Sequence, residues 1–107
     1  MKVHRYIRCF MTCAAILAVE ASSADEGLYL QKIKPLLQKR CLTCHGALRQ
    51  EAGLRLDTAV AARTGSENGA VLNPETPATS LLLRRVTSRD PDDRMPPEGD
   101  PLGDRQI

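Results

Sequence analysis

From Asp25 to Arg40 the chain reads DEGLYLQKIKPLLQKR, and its apolar residues recur at helical intervals. Tyr29, Ile33, Leu36 and Leu37 share one side, with Leu30 beside them. Asp25 and Glu26 open the stretch and Lys39 and Arg40 close it, the order that a helix dipole favours. The spacing predicts a helix over residues 25–40. Pro35 has no amide to donate and crowds the turn before it, so a kink there, or a second short helix starting at Pro35, is expected.

The pattern weakens after residue 45. Leu54, Arg55 and Leu56 alternate, over too short a run to predict a sheet. Gly46 and Gly53 permit tight reversals. Asp57 is the expected N-cap of a short helix through TAVAAR, which Gly65 would end. Residues 64–78, with Gly69, Pro74 and Pro77, read as loop. Thr76 and Pro77 suit an N-cap and a first helical position, and ATSLLLRRV continues as a helix with Leu81, Leu82 and Val86 or Leu83 turned inward. The segment TSRDPDDRMPPEGDPLGD is polar and proline-rich around a single methionine, Met95. No internal repeat is visible. The prediction is a mainly α fold of short helices and long loops. Loops of this length in so small a unit call for a ligand that organises them.

The first residues carry a different pattern. MKVHRYIR holds Lys2, Arg5 and Arg8, an apolar run CFMTCAAILAV follows over residues 9–19, and small residues lead to Ala24. This is the design of a secretory signal peptide, with a cut expected near Ala24 or Ala21. The apolar run is shorter than the roughly 20 residues that a bilayer span needs. The plainer reading is an uncleaved anchor or a buried helix. The expected organisation is therefore a signal peptide over 1–24 and one domain over 25–107. Removing Lys2, Arg5, Arg8 and Glu20 from the 15 basic and 13 acidic residues leaves twelve of each. A balanced charge gives no reason to propose nucleic acid or an anionic membrane as a partner.

The expected domain is poor in material for a core. Tyr29 is its one aromatic residue, and Cys41 and Cys44 are its only cysteines. A unit this small usually needs a staple. A disulfide between two such close cysteines would close too small a loop to serve as one.

Cys41-Leu42-Thr43-Cys44-His45 supplies a different staple. A structural zinc site wants four protein ligands, and the domain offers two cysteines and His45, with Cys44 and His45 adjacent. A thioredoxin-type dithiol would follow a strand, whereas a helical pattern precedes these cysteines. Covalent haem fits the spacing. Two residues between the sulfurs let one helical turn reach both vinyl groups of a porphyrin, and the next residue, His45, then lies over the iron. A haem would also replace the missing aromatic core. Met95 is the one methionine outside the expected signal peptide, and no second histidine remains to supply a sixth ligand. Pro96 and Pro97 stiffen the loop that carries Met95. The plainer reading of Met95 is a surface or gap-filling side chain. Axial His/Met ligation is a known solution for c-type haem, and it makes Met95 the candidate.

The runs KIKPLLQKRCLTCHG, GLRLDT, PATSLLLRRV and DDRMPPEGDPL, in that order, resemble the planctomycete-type cytochrome c domain, from about Tyr29 to the last residue. The resemblance implies a small cytochrome c-like fold around one haem c. Cys41 and Cys44 would hold the haem, with His45 as proximal and Met95 as distal ligand. It also implies a place near the N-terminus of a long exported, periplasmic or extracytoplasmic protein. Glu75 and Thr64 stand where such sequences often carry glycine, which bears on local loop geometry. Cytochrome c folds usually close with a C-terminal helix. PLGDRQI reads as the opening of one, so a truncated helix and absent downstream domains are expected.

With both axial positions filled, the expected function is electron transfer to an unidentified redox partner, with no enzymatic chemistry. Two other readings stand beside it. A peroxidase-like enzyme would require that Met95 leave the sixth position open. A haem-stapled interaction or redox-sensing module would use the haem as structure. Arg84, Arg85, Arg89 and Arg94 lie near the expected haem edge, and haem propionates need counter-charges; most of the four are expected to be solvated or paired with Asp90, Asp92 and Asp93, and one, which the sequence does not single out, is a candidate to meet a propionate.

Overall fold

The computed structural model describes residues 21–107, with side chains from Asp25 onward. The expected signal peptide, 1–24, lies almost wholly outside the described residues. Helices α1 (Ala21–Leu28) and α2 (Lys34–Arg40) are joined by a π-helical turn over Tyr29–Ile33. Helix α3 spans Ala59–Thr64 and α4 spans Leu81–Thr87. Short 3-10 turns lie at Glu51–Gly53 and Pro77–Thr79. No strand forms among the described residues; two isolated bridges, His45 with Gln50 and Ser66 with Gly69, pin loops. The fold is the mainly α, cytochrome c-like arrangement of short helices and long loops.

The sequence around Pro35 explains the π-helical turn. Proline cannot donate to the carbonyl one turn back, and the chain accommodates this with an extra residue in the turn, so that Lys34 donates to the Tyr29 carbonyl. The helical run is continuous from Ala21 to Arg40, with Pro35 near the start of α2. The extra residue also breaks the 3.6-residue period across Pro35. Leu37 reaches the core, while Tyr29, Leu30 and Ile33 are exposed. The single inward face predicted for this helix is thus confined to its last turn.

Two helix starts also differ from expectation. Thr58 caps α3, its hydroxyl accepting from the Ala61 amide at 3.1 Å. Asp57 is engaged by Arg55 instead, with N–O distances of 3.0 and 2.7 Å. The stretch from Pro77 is a 3-10 turn, and α4 begins only at Leu81, because Ser80 is extended and its hydroxyl accepts from the Asn73 amide at 2.9 Å. Gly65 ends α3 as expected, with φ 87°. Residues 101–107 hold a turn, in which the Gln106 amide donates to the Gly103 carbonyl at 2.7 Å, and no helix.

The core is small. Leu54, Leu56 and Val71 are buried together, with Leu37, Leu42, Ala62, Leu81 and Leu82 packed around them. Burying such a side chain contributes roughly 1.5–3 kcal/mol of transfer free energy. Among the described residues no large side chain is fully enclosed. The short alternation Leu54–Arg55–Leu56 therefore behaves as a strand would, with both leucines inward, but pairs with nothing as a sheet.

Candidate functional site

The cysteine segment continues α2 as a further helical turn. The Cys41 and Leu42 amides donate to Leu37 at 2.8 and 3.0 Å, and the Cys44 and His45 amides donate to Cys41 at 3.1 and 2.8 Å. A turn of this kind brings positions 41, 44 and 45 to one side of the chain. Gly46 follows because nothing larger fits: a Cβ there would collide with the Leu42 carbonyl. Chain reversal after Gly46 is fixed by its amide bonding Arg49 at 2.8 Å and by the Glu51 amide bonding Cys44 at 2.9 Å.

Cys41, Cys44, His45 and Met95 all line one cavity. It holds about 910 Å³ of empty space, counting its open mouth. Leu54, Leu56, Val71 and Val86 line the same cavity, and these are the four buried apolar residues among those described. The core and the cavity wall are one structure. Leu81 and Leu82 complete the apolar lining from α4, as the helical spacing predicts.

The donor set fits a haem. Cys41 and Cys44 are free thiols. Burial pushes the Cys41 thiol above its ordinary value, opposed by the Arg40 charge and reinforced by Cys44. His45 Nδ1 is sealed in protein without a hydrogen-bond partner, which leaves Nε2 as the nitrogen available to a ligand in the cavity. The Met95 thioether comes from a loop of opposite chemical character, polar and proline-rich, and its bond to Pro96 is cis. An imidazole, a thioether, two thiols and a mainly apolar wall suit a large flat apolar group with iron at its centre. Among the described residues no cluster of three or more His, Cys, Asp or Glu suits a bare metal ion.

A family model described as planctomycete cytochrome C matches residues 41–99, more than half of the chain. The chain belongs to the planctomycete cytochrome C family. It is accordingly a c-type haem-binding module, and the family implies covalent haem c. No curated protein and no solved structure matches the chain. No helix among the described residues is long and apolar enough to cross a membrane.

Of Arg84, Arg85, Arg89 and Arg94, only Arg85 lines the cavity. Arg84 lies instead along shallow surface depressions beside α4. Arg94 has its Nε buried without a partner. Arg40, read from sequence only as a cation closing a helix, does line the cavity and donates to the Asp100 carbonyl. Its position one residue before Cys41 was the available signal, because a helix that carries Cys41 to the cavity carries its neighbour to the rim. Ser66 and Asn68 also line the cavity, from a loop whose sequence offers no such signal.

Proposed function

We propose that this family module transfers electrons through one haem held covalently by Cys41 and Cys44, with His45 and Met95 as axial ligands. One observation carries the reading: the two thiols, the imidazole and the thioether share a single cavity whose wall contains every buried apolar side chain among the described residues. When bound, the haem supplies a one-electron iron couple. The chain's residues do the remaining work. Cys41 and Cys44 would fix the group, and His45 Nε2 and the Met95 sulfur would hold its iron and leave no position for substrate. Leu54, Leu56, Val71 and Val86 would exclude water from it, and Arg40 and Arg85, which line the same cavity, would supply positive charge for the propionates.

The same proposal includes a cleaved signal peptide over 1–24, function outside the cytoplasm, a protein redox partner and a place within a longer exported protein. Tyr29, Leu30 and Ile33, exposed along the first helical run, are consistent with further polypeptide covering this side.

The test is export together with a haem-attachment system. The haem is expected to stay with the polypeptide on a denaturing gel and through acid-acetone extraction. The double substitution Cys41→Ala with Cys44→Ala is expected to abolish this. Complete extraction of haem from the wild type refutes covalent attachment.

A further inference from the structure

The Met95 loop has few ties to the protein around it. Its approach, residues 88–94, bonds mainly to itself. The Asp90 amide donates to the Ser88 hydroxyl at 3.2 Å, and the Asp92 amide to the Asp90 carboxylate at 3.0 Å. The Asp93 and Arg94 amides donate to the Asp90 carbonyl at 3.2 and 2.9 Å. Beyond this self-folded turn, two residues hold the loop, and both also line the cavity. Arg40 holds its far end through the Asp100 carbonyl. Arg85, on α4, holds its near end at three points. The Arg85 carbonyl accepts from the Met95 amide at 2.9 Å. The Arg85 guanidinium donates to the Asp93 carbonyl at 3.3 Å and pairs with the Asp93 carboxylate.

We infer that Arg85 is the positioning residue for Met95, its guanidinium gripping Asp93 so that the thioether two residues on is held at the cavity. This rests on Met95 being the sixth ligand. A thioether is a weak ligand, and it competes with any added base only if the loop does not have to be ordered each time it binds. Preorganisation by Arg85 lowers that ordering cost. The Arg85 side chain is 37% exposed and that of Asp93 62%, so the grip belongs with surface pairs, which shift an equilibrium by up to about fivefold. Arg40 still holds the far end when Arg85 is changed, and the Arg85 carbonyl still accepts from Met95. Substitution of the side chain therefore loosens the loop without releasing it.

The experiment is titration of the ferric, haem-loaded chain with imidazole, which displaces Met95 and reads how firmly the thioether is held. Arg85→Gln is expected to raise the apparent imidazole affinity roughly two- to fivefold. Arg85→Lys, which keeps a charge for Asp93, is expected to restore part of the difference. Asp93→Asn, which removes the partner without touching α4, is expected to act in the same direction as Arg85→Gln. The decisive comparison repeats Arg85→Gln in a Met95→Ala background, where no thioether remains to be positioned and no change is expected. An unchanged affinity in the wild-type background overturns the inference. So does an equal rise in both backgrounds, which would mean that Arg85 acts on the cavity and not through Met95. If Met95→Ala alone leaves imidazole affinity unaltered, Met95 is not the ligand, and the positioning role falls with it.

Discussion

The Leu56 amide donates to the His45 carbonyl at 2.9 Å, and the side chain of Leu56 is buried in the cavity wall. One residue thus braces the backbone of the candidate ligand and forms part of the surface the haem would rest on. Leu56→Ala keeps the amide and loses the side chain. In the haem-loaded chain it is expected to cost about 2–3 kcal/mol in denaturant unfolding, towards the low end for a buried leucine because a cavity wall has fewer neighbours. Val60→Ala, at a side chain 74% exposed, is expected to change stability by less than about 0.5 kcal/mol. Equal effects of the two would mean that the cavity wall is not the core.

Met95 offers a spectroscopic test. With thioether ligation, the oxidised protein is expected to show the weak near-infrared band of sulfur-to-iron charge transfer, and Met95→Ala to remove it. The potential should fall, because the thioether favours ferrous iron. A fall of at least about 59 mV is expected, equivalent to tenfold for a one-electron couple. An unchanged spectrum and potential would return Met95 to the role of a gap-filling side chain.

What could be read from sequence was the chemistry and the helix-borne part of the cavity. Cys41, Cys44 and His45 are set by a helical turn, and local spacing determines which residues such a turn brings together. Leu81, Leu82 and Val86 follow by the same rule once α4 exists. Choices decided by competition between polar side chains were not legible. Whether Asp57 or Thr58 caps α3 depends on Arg55, which takes the Asp57 carboxylate for itself. Where α4 starts depends on Asn73, which occupies the Ser80 hydroxyl seven residues away. The inward face read across Tyr29, Ile33, Leu36 and Leu37 spans the interruption expected at Pro35, and the π-helical turn over Tyr29–Ile33 puts its first half out of register with Leu37. Arg40 has a local signal in its place beside Cys41, but its contact lies sixty positions downstream at Asp100, and Ser66 and Asn68 have no local signal at all.

Gly65 is a position that backbone geometry reserves for glycine. Its φ is 87° and ψ −153°, a region costing other residues of order 1–3 kcal/mol, and a Cβ would stand 2.7 Å from the Gly69 carbonyl oxygen. Gly65→Ala is expected to destabilise by at least about 2 kcal/mol in thermal or denaturant unfolding. Gly99→Ala has a positive φ of 76° but open space around the new methyl, so its cost is expected to be backbone strain alone, about 1 kcal/mol. If Gly65→Ala costs no more than Gly99→Ala, the loop closing α3 has room that this packing denies it.

The Arg55–Asp57 pair predicts a pH dependence with a definite sign. The hydrogen bonds from Arg55 hold the Asp57 carboxyl below its ordinary value, and burial opposes this only in part. A carboxyl whose folded pKa is depressed binds fewer protons folded than unfolded. Its stabilising contribution is therefore fully present above the unfolded value, about 3.9, and is lost as pH falls through the lower folded value. Arg55 is shifted upward by the same bonds, and its charge does not change in this range. Asp57→Asn removes the titration and leaves a neutral acceptor. Unfolding free energies measured from pH 7 to about pH 2.5 are expected to fall more steeply for the wild type than for Asp57→Asn below about pH 4, with the two curves parallel above it. The cap on α3 belongs to Thr58, so Thr58→Ala should lower stability by about 1 kcal/mol at every pH and leave the slope as it was. A wild-type curve that stays parallel to Asp57→Asn through the acid range would show that the pair does not distinguish the folded from the unfolded chain.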